Sequence, residues 1–258
     1  SASLERATAW LATQLEAAGY EVERHAYTFR GARRENVYVT KPGATAPHEM
    51  YLVSAHLDGR GGGGAVDDDG SGVALVLEAA LALAPSTVET QTSVRFVFWN
   101  NEETGLDGSR AYVRDRAALQ GEERPPGSGR YPEPRWLGIV QHDMLLFDHG
   151  LPPGPRQIAG ADVDVEYQLN ARFALDSLRL ASALVQGNAR FSSDYPAELG
   201  TNMAFTDSVA FQEHTAAVSV RENQRVAEIG NGSNPHWHRP SDVYETYADE
   251  DFRLGFNA

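Results

Sequence analysis

Apolar residues recur at helical spacing at the start of the chain. Leu4, Ala7, Leu11, Leu15 and Ala18 fall on one side of a helix, and Gly19 is a natural stop. Beyond it the period changes, and extended segments are predicted at 20–29, 36–40 and 50–56, with the charged run from Gly31 to Glu35 as a turn. The third is apolar enough to be a central strand. Ser71 to Ala84 (SGVALVLEAALALA) is strongly helix-forming, apolar on most sides and closed by Pro85, which predicts a buried helix. Ser93–Trp99 (SVRFVFW), Trp136–Val140 (WLGIV) and His214–Val220 (HTAAVSV) read as strands, and Leu175–Leu184 as a helix. Gly121 to Pro134, dense in proline, glycine and charge, reads as a surface excursion. No internal repeat is evident.

Strands alternating with helices predict an α/β fold, a three-layer α/β/α sandwich with a central mixed, mostly parallel sheet. Residues 1–258 are expected to form one domain with a surface insertion at about 118–135. In such a fold the ligand site lies beyond the carboxyl ends of the strands. The polar residues that follow each apolar strand therefore carry the chemistry.

Composition narrows the options. With 41% hydrophobic residues the chain can build a core, and no stretch approaches the roughly 18 consecutive apolar residues of a membrane helix. A net charge of −14 repels phosphates and anionic lipid, and the one basic cluster, Arg30, Arg33 and Arg34, is short. Neither nucleic acid nor membrane is expected as a partner. The absence of cysteine excludes disulfides, thiolate metal sites and cysteine nucleophiles, so any metal must be held by histidine and carboxylate. The chain opens at Ser1 inside a helical pattern with no basic and apolar leader, so an export signal is expected to have been removed or never present. A secreted or periplasmic location is expected.

Three strand ends, the acidic run before the buried helix and one late loop carry candidate ligands. After the third extended segment, His56 and Asp58 project the same way, so Asp58 could orient His56. Asp67, Asp68 and Asp69 precede the buried helix. Capping by Asp69 or Ser71 accounts for one or two of these carboxylates but not for three, which would repel one another without a cation. After SVRFVFW come Glu102 and Glu103, one suited to binding metal and the other to acting as a base. After WLGIV comes Asp143, and the loop from Asn234 to Asp242 offers His236 and His238. His142, His149 and His214 are expected to be ordinary polar or packing residues. His56, Asp68, Glu103, Asp143 and one of His236 or His238 make five ligands, too many for one tetrahedral zinc and suited to two ions sharing a carboxylate.

The ordered motifs HLD, DDDGSG, NNEETG, HDM and HRPSD span nearly the whole chain. They resemble those of the co-catalytic dizinc exopeptidases, which include bacterial leucyl-type aminopeptidases and glutamate carboxypeptidase. The resemblance implies two zinc ions bridged by Asp68, with His56 and Asp143 on one and Glu103 and His238 on the other. It implies Glu102 as general base, Asp58 as the residue orienting His56, and a cis bond between Asp68 and Asp69. His238 is preferred to His236 because the family's last histidine is typically followed four residues later by aspartate, here Asp242. The implied activity is hydrolysis of N-terminal residues from peptides by water held between the ions and deprotonated by Glu102. Cobalt or manganese could occupy the same ligands.

The chain departs from the family in four places. Thr206-Asp207-Ser208 stands where many relatives carry Ser-Asp-His, and Trp237 where some carry an oxyanion-donating tyrosine, so oxyanion stabilisation must come from the metal or another donor. The excursion at Gly121–Pro134 is unusual and could overhang the cleft. A C-terminal helix expected from near Ser241 ends early, at Ala258, as in a trimmed chain. Arg221 and Glu222, both expected at the cleft mouth, set the choice of substrate end: Glu222 suits a free α-amine, Arg221 a terminal carboxylate. Alternatives of the same fold are a carboxypeptidase or dipeptidase, a one-zinc glutaminyl cyclase, and a non-catalytic binding module. Side-chain preference rests on pocket residues such as Trp237, Met203 and Phe205.

Overall fold

The computed structural model describes residues 2–148, 163–192, 195–222 and 234–257. Eight strands form one sheet: β1 (Glu23–Phe29), β2 (Ala32–Lys41), β3 (Ala46–His56), β4 (Thr92–Trp99), β5 (Arg135–His142), β6 (Val163–Tyr167), β7 (Ala197–Gly200) and β8 (Ala216–Arg221). Their spatial order is β1-β2-β4-β3-β5-β8-β6-β7. The centre, β4-β3-β5-β8, is parallel. β1 and β2 form an antiparallel hairpin at one edge, and β6 runs antiparallel to β8 while pairing in parallel with β7. The mixed, mostly parallel sheet predicted from the alternation is the one observed.

Helices cover both faces: α1 (Ala2–Ala17), α2 (Gly72–Ala82), α3 (Asp107–Arg116), α4 (Ala174–Phe191) and α5 (Asp249–Asn257). The apolar runs of β3 and β4 follow from burial on two sides. Met50, Leu52, Val97 and Trp99 pack toward Tyr112 and Val113 of α3. Ala55, Phe96 and Phe98 pack toward Leu11 and Leu15 of α1 and Val76 of α2. Phe96, Phe98 and Trp99 are completely buried, and each such side chain contributes about 1.5–3 kcal/mol relative to exposure. No described helix is long and apolar enough to cross a membrane.

Several predicted boundaries move. The first strand starts at Glu23, and the expected turn shrinks to Arg30-Gly31, both at positive φ, so that Phe29 pairs directly with Ala32. A two-residue turn of this hand matches the twist of an edge hairpin, and the charges of Arg33 and Arg34 stay in solvent. α4 runs on to Phe191, past the predicted Leu184. The C-terminal helix begins at Asp249, not near Ser241, because 241–248 is taken up by turns around Tyr244–Thr246. α3, β6 and β7 carried no prediction. The sequence of α3, DGSRAYVRDR, is polar, and β6 alternates apolar residues with buried Asp164 and Glu166.

The excursion 121–134 does not overhang the cleft. It leads into the amino end of β5, opposite the strand ends that carry the candidate ligands, and contributes nothing to the cavity there. Its last turn is pinned by Glu133, whose carboxylate accepts hydrogen bonds from Arg95 Nη1 at 2.7 Å, the Tyr112 hydroxyl at 2.8 Å and Trp136 Nε1 at 2.5 Å.

Candidate metal centre

β3 delivers His56 in a buried position at its carboxyl end. Its Nδ1–H donates to the backbone carbonyl of Asp58 at 2.8 Å, which turns Nε2 toward Asp68 Oδ1 at 3.1 Å. The chain then enters a tight helical turn, Val66–Ser71, with a cis peptide between Asp68 and Asp69. Its three carboxylates have separate surroundings. Asp69 caps α2 by accepting the Gly72 N–H at 3.1 Å, and also accepts the N–H groups of His56 and Met144. Asp67 accepts from the Asn234 amide at 2.6 Å and the Leu146 N–H at 3.0 Å. Protein donors thus satisfy the outer two carboxylates. Asp68 turns an oxygen to each of two histidines, while Asp69 Oδ2 lies 4.0 Å from His56 Nε2.

After β4, the carboxylate of Asp58 accepts the N–H groups of Glu102 at 3.1 Å and Glu103 at 3.3 Å, fixing the turn that presents both glutamates. Glu103 Oε2 lies 2.9 Å from His238 Nε2, which also lies 3.1 Å from Asp68 Oδ2. His238 arrives on a loop packed against Gly61, where φ is +87° and a Cβ would sit 2.3 Å from the His238 carbonyl carbon. Only glycine permits that approach. Asp242 ties the same loop to the acidic turn by accepting the N–H groups of Val66, Asp67 and Asp68. After β5, Asp143 is buried with Oδ2 2.6 Å from Arg221 Nη2.

Two groups of potential ligand atoms result, His56 with Asp68 and Asp143, and Asp68 with Glu103 and His238. Within each group the atoms lie within 4.8 Å of one another, and Asp68 belongs to both. The electrostatics fit cations. Burial pushes Glu102 up to about 9 and Glu103 up to about 7. Burial also raises Asp68, but hydrogen bonds from His238 and His56 outweigh it and leave that carboxyl below its ordinary range. His238 is raised by its hydrogen bond to Asp68. Burial pulls His56 down, yet Asp69, Asp68 and Glu102 hold it well above its usual value. Glu103 Oε1 is buried without a hydrogen-bond partner, as suits an atom meant for a metal. The residues present fit a pair of divalent ions.

The centre forms the floor of a cavity of about 600 Å³ whose walls include Leu106, Met144, Met203, Phe205, Val209 and Trp237. Trp237 stacks on His238 with ring centroids 4.0 Å apart. Arg110, Gln168 and Gln212 also line it; α3, which supplies Arg110, and β6, which ends one residue before Gln168, carried no prediction, and no motif marked these residues.

Some expectations change. Asp58 reaches His56 through its backbone carbonyl, while its carboxylate lies 3.9 Å from Nδ1 and serves the two glutamates. His236 does not reach the ligand groups, its Nδ1 lying 3.1 Å from Ser241 Oγ and its ring against Phe147 and Tyr247. Glu222 is not at the cleft mouth. It is fully buried and accepts the N–H groups of Leu146 and Phe147, because successive residues of an extended segment face opposite sides. Arg221 does line the cavity but is buried and bound to Asp143. His142 is buried, with burial pulling it down to about 4, and His214 packs edge-on to Trp136. His149 lies outside the described residues.

The model of peptidase family M28 matches residues 36–253. The chain is 36% identical over 107 residues to leupeptin-inactivating enzyme 1 of Streptomyces exfoliatus, covering 42% of this chain and 24% of that protein. It is 44% identical over 90 residues to the probable lipoprotein aminopeptidase LpqL of Mycobacterium tuberculosis, covering 34% and 17%. These matches thus take in about a quarter or less of each relative's length. Among solved structures, LapA of Legionella pneumophila superposes with a TM-score of 0.70 at 18% identity over 99% of this chain and 64% of that one. The zinc aminopeptidase BSAP of Bacillus subtilis gives 0.64 at 21% over 90% and 49%, and the glutaminyl cyclase of Porphyromonas gingivalis 0.68 at 20% over 97% and 85%. At these identities the structural likenesses speak for the fold.

Proposed function

The chain belongs to peptidase family M28, and from that membership and the geometry of its centre we propose that it removes N-terminal residues from peptides. The metal ligands in this reading are His56, Asp68 and Asp143 for one zinc ion and Asp68, Glu103 and His238 for the other. The carrying observation is Asp68, whose two oxygens face two different histidines at 3.1 Å. Two zinc ions held there supply Lewis acidity to the scissile carbonyl and make water acidic near neutral pH.

Glu102 lines the cavity but belongs to neither ligand group. It is the proposed general base, taking a proton from the attacking water and returning it to the departing amine. Burial raises its proton affinity, and cationic charge at the ligand groups draws it back toward neutrality. Asp58 is a positioning residue that holds Glu102 and Glu103 through their backbone N–H groups. The polar and apolar walls leave room for a side chain beside the scissile bond.

The preference for the amino end follows from charge. Arg221 is bound to Asp143, so this buried cation is not free for a substrate carboxylate. The mycobacterial relative's name, a lipoprotein aminopeptidase, supports an extracytoplasmic location.

The test compares an N-terminal aminoacyl anilide with its N-acetylated form and with a peptide bearing N-terminal glutamine, while counting zinc. Cleavage of the free anilide with two zinc ions per chain is expected. Faster cleavage of the blocked substrate overturns the amino-end preference in favour of a carboxypeptidase. Cyclisation of the glutaminyl peptide with one zinc per chain supports the cyclase reading, which shares this fold.

A further inference from the structure

The two ligand groups are nearly matched in donors. Each has one histidine, one oxygen of Asp68 and one further carboxylate, Asp143 or Glu103. The difference lies in what else those carboxylates touch. Glu103 Oε1 is buried without a hydrogen-bond partner among the described residues, and Oε2 faces His238 Nε2 at 2.9 Å, a ligand of the same group, so neither oxygen is held by a group outside the site. Asp143 has already given Oδ2 to the guanidinium of Arg221 at 2.6 Å. Only its other oxygen remains.

Arg221 cannot easily leave. It stands at the end of β8, adjacent to β5, and is 5% exposed. Nη2 also donates to the Phe205 carbonyl at 3.3 Å, and Nε lies 3.7 Å from Glu166 Oε2 on β6. A buried guanidinium requires carboxylate partners, so it is held between Asp143 on one side and Glu166 on the other. Its permanent positive charge both competes for Asp143 and opposes a second cation beside it.

We infer that Arg221 makes the two metal sites unequal, so that the His56–Asp68–Asp143 site binds zinc more weakly than the Asp68–Glu103–His238 site and fills last. This inference rests on the two-metal reading above and deepens it. It names Arg221 as a positioning residue for Asp143, with Glu166 as the counterweight that sets how firmly Arg221 grips.

The experiment is a stepwise zinc titration of the metal-free full chain against a competing chelator. The wild type should show two steps separated by about tenfold or more, the scale of one unscreened neighbouring charge. Asp143→Ala should delete the weak step and Glu103→Ala the tight one. Arg221→Gln should tighten the weak step by about tenfold and bring the two together. Glu166→Gln should weaken that step, since Arg221 then turns wholly to Asp143. Arg221→Lys, which keeps the charge and loses the fork, should fall between wild type and Arg221→Gln, and it carries the comparison if Arg221→Gln does not fold. Two indistinguishable steps in the wild type, or a weak step unmoved by the substitutions at Arg221, overturn the inference and leave the dizinc reading standing. If no variant and no wild-type sample binds zinc, the dizinc reading itself fails.

Discussion

The carboxylate of Asp58 accepts the backbone N–H of Glu102 at 3.1 Å, joining the end of β3 to the turn that follows β4. The second oxygen accepts the N–H of Glu103 at 3.3 Å. One side chain thus fixes the residue proposed as base and the residue proposed as ligand, while its own carbonyl fixes His56. Asp58→Ala leaves two part-buried N–H groups without this acceptor. We expect roughly a 10- to 100-fold loss in kcat/KM with both zinc ions retained, because the carbonyl that orients His56 remains. Asp58→Asn should lose less. Metal analysis beside kinetics decides it: loss of zinc from Asp58→Ala would show that the carboxylate acts on His56 instead.

Glu102→Gln removes the proton acceptor and preserves shape. Because Glu102 is in neither ligand group, the variant should bind zinc as the wild type does and lose about 10²-fold to 10⁴-fold in kcat. Turnover near the wild-type rate would eliminate Glu102 as the base.

His238 and His236 are two residues apart and should behave oppositely. His238→Ala removes a group that faces both Asp68 and Glu103, and the chain should hold one zinc ion where it held two. His236→Ala should keep both and lose only packing against Phe147 and Tyr247, about 1 kcal/mol. Chelation of the wild type should lower Tm, since ions that bind only the folded chain stabilise it. Unchanged zinc content in His238→Ala would break the assigned ligand set.

How much of this was legible varies with the range of the interaction. The central strands could be read because β3 from Met50 onward and β4 are largely buried on both faces and so are mostly apolar, broken inside only by Ser54 and by Arg95, which is itself buried. α3 could not, because its buried side consists of Gly108, Ser109, Ala111, Tyr112 and Val113, of which few are strongly apolar. Gly108 is there because a Cβ would sit 2.1 Å from the Asn100 carbonyl oxygen, a constraint set by tertiary contact alone. The acidic run Asp67–Asp69 gave the correct turn, yet the division of labour within it depends on donors from Asn234, Met144 and Leu146, distant in sequence. Asp242 was recognisable by its spacing from His238, whereas its task, accepting three N–H groups of the acidic turn, was not. Arg221 and Glu222 were read as a pair at the cleft. Strand alternation puts them on opposite sides, and only the register of β8 says which faces the metal ligands.

The last prediction concerns stability and pH, away from the metal centre. His25 of β1 is 5% exposed; its Nε2 lies 3.1 Å from Asp115 Oδ2, and its Nδ1 faces the Asn36 amide at 3.3 Å. An amide donating to Nδ1 leaves that nitrogen unprotonated, so the ring is neutral with its proton on Nε2. Burial lowers its pKa, and the hydrogen bond and charge of Asp115 offset this only in part. A base whose folded-state pKa is depressed gives its full contribution above the unfolded value, about 6.5. That contribution is lost as pH falls toward the folded value, because the unfolded chain takes up the proton first. His25→Gln should therefore be destabilised relative to wild type at pH 7.5, by about 1 kcal/mol, and the gap should narrow at pH 5. Urea unfolding of both proteins at the two pH values measures the difference, in which the acid sensitivity of the shared carboxylates cancels. A gap that widens in acid would mean that His25 is protonated in the folded chain and paired with Asp115 as an ion.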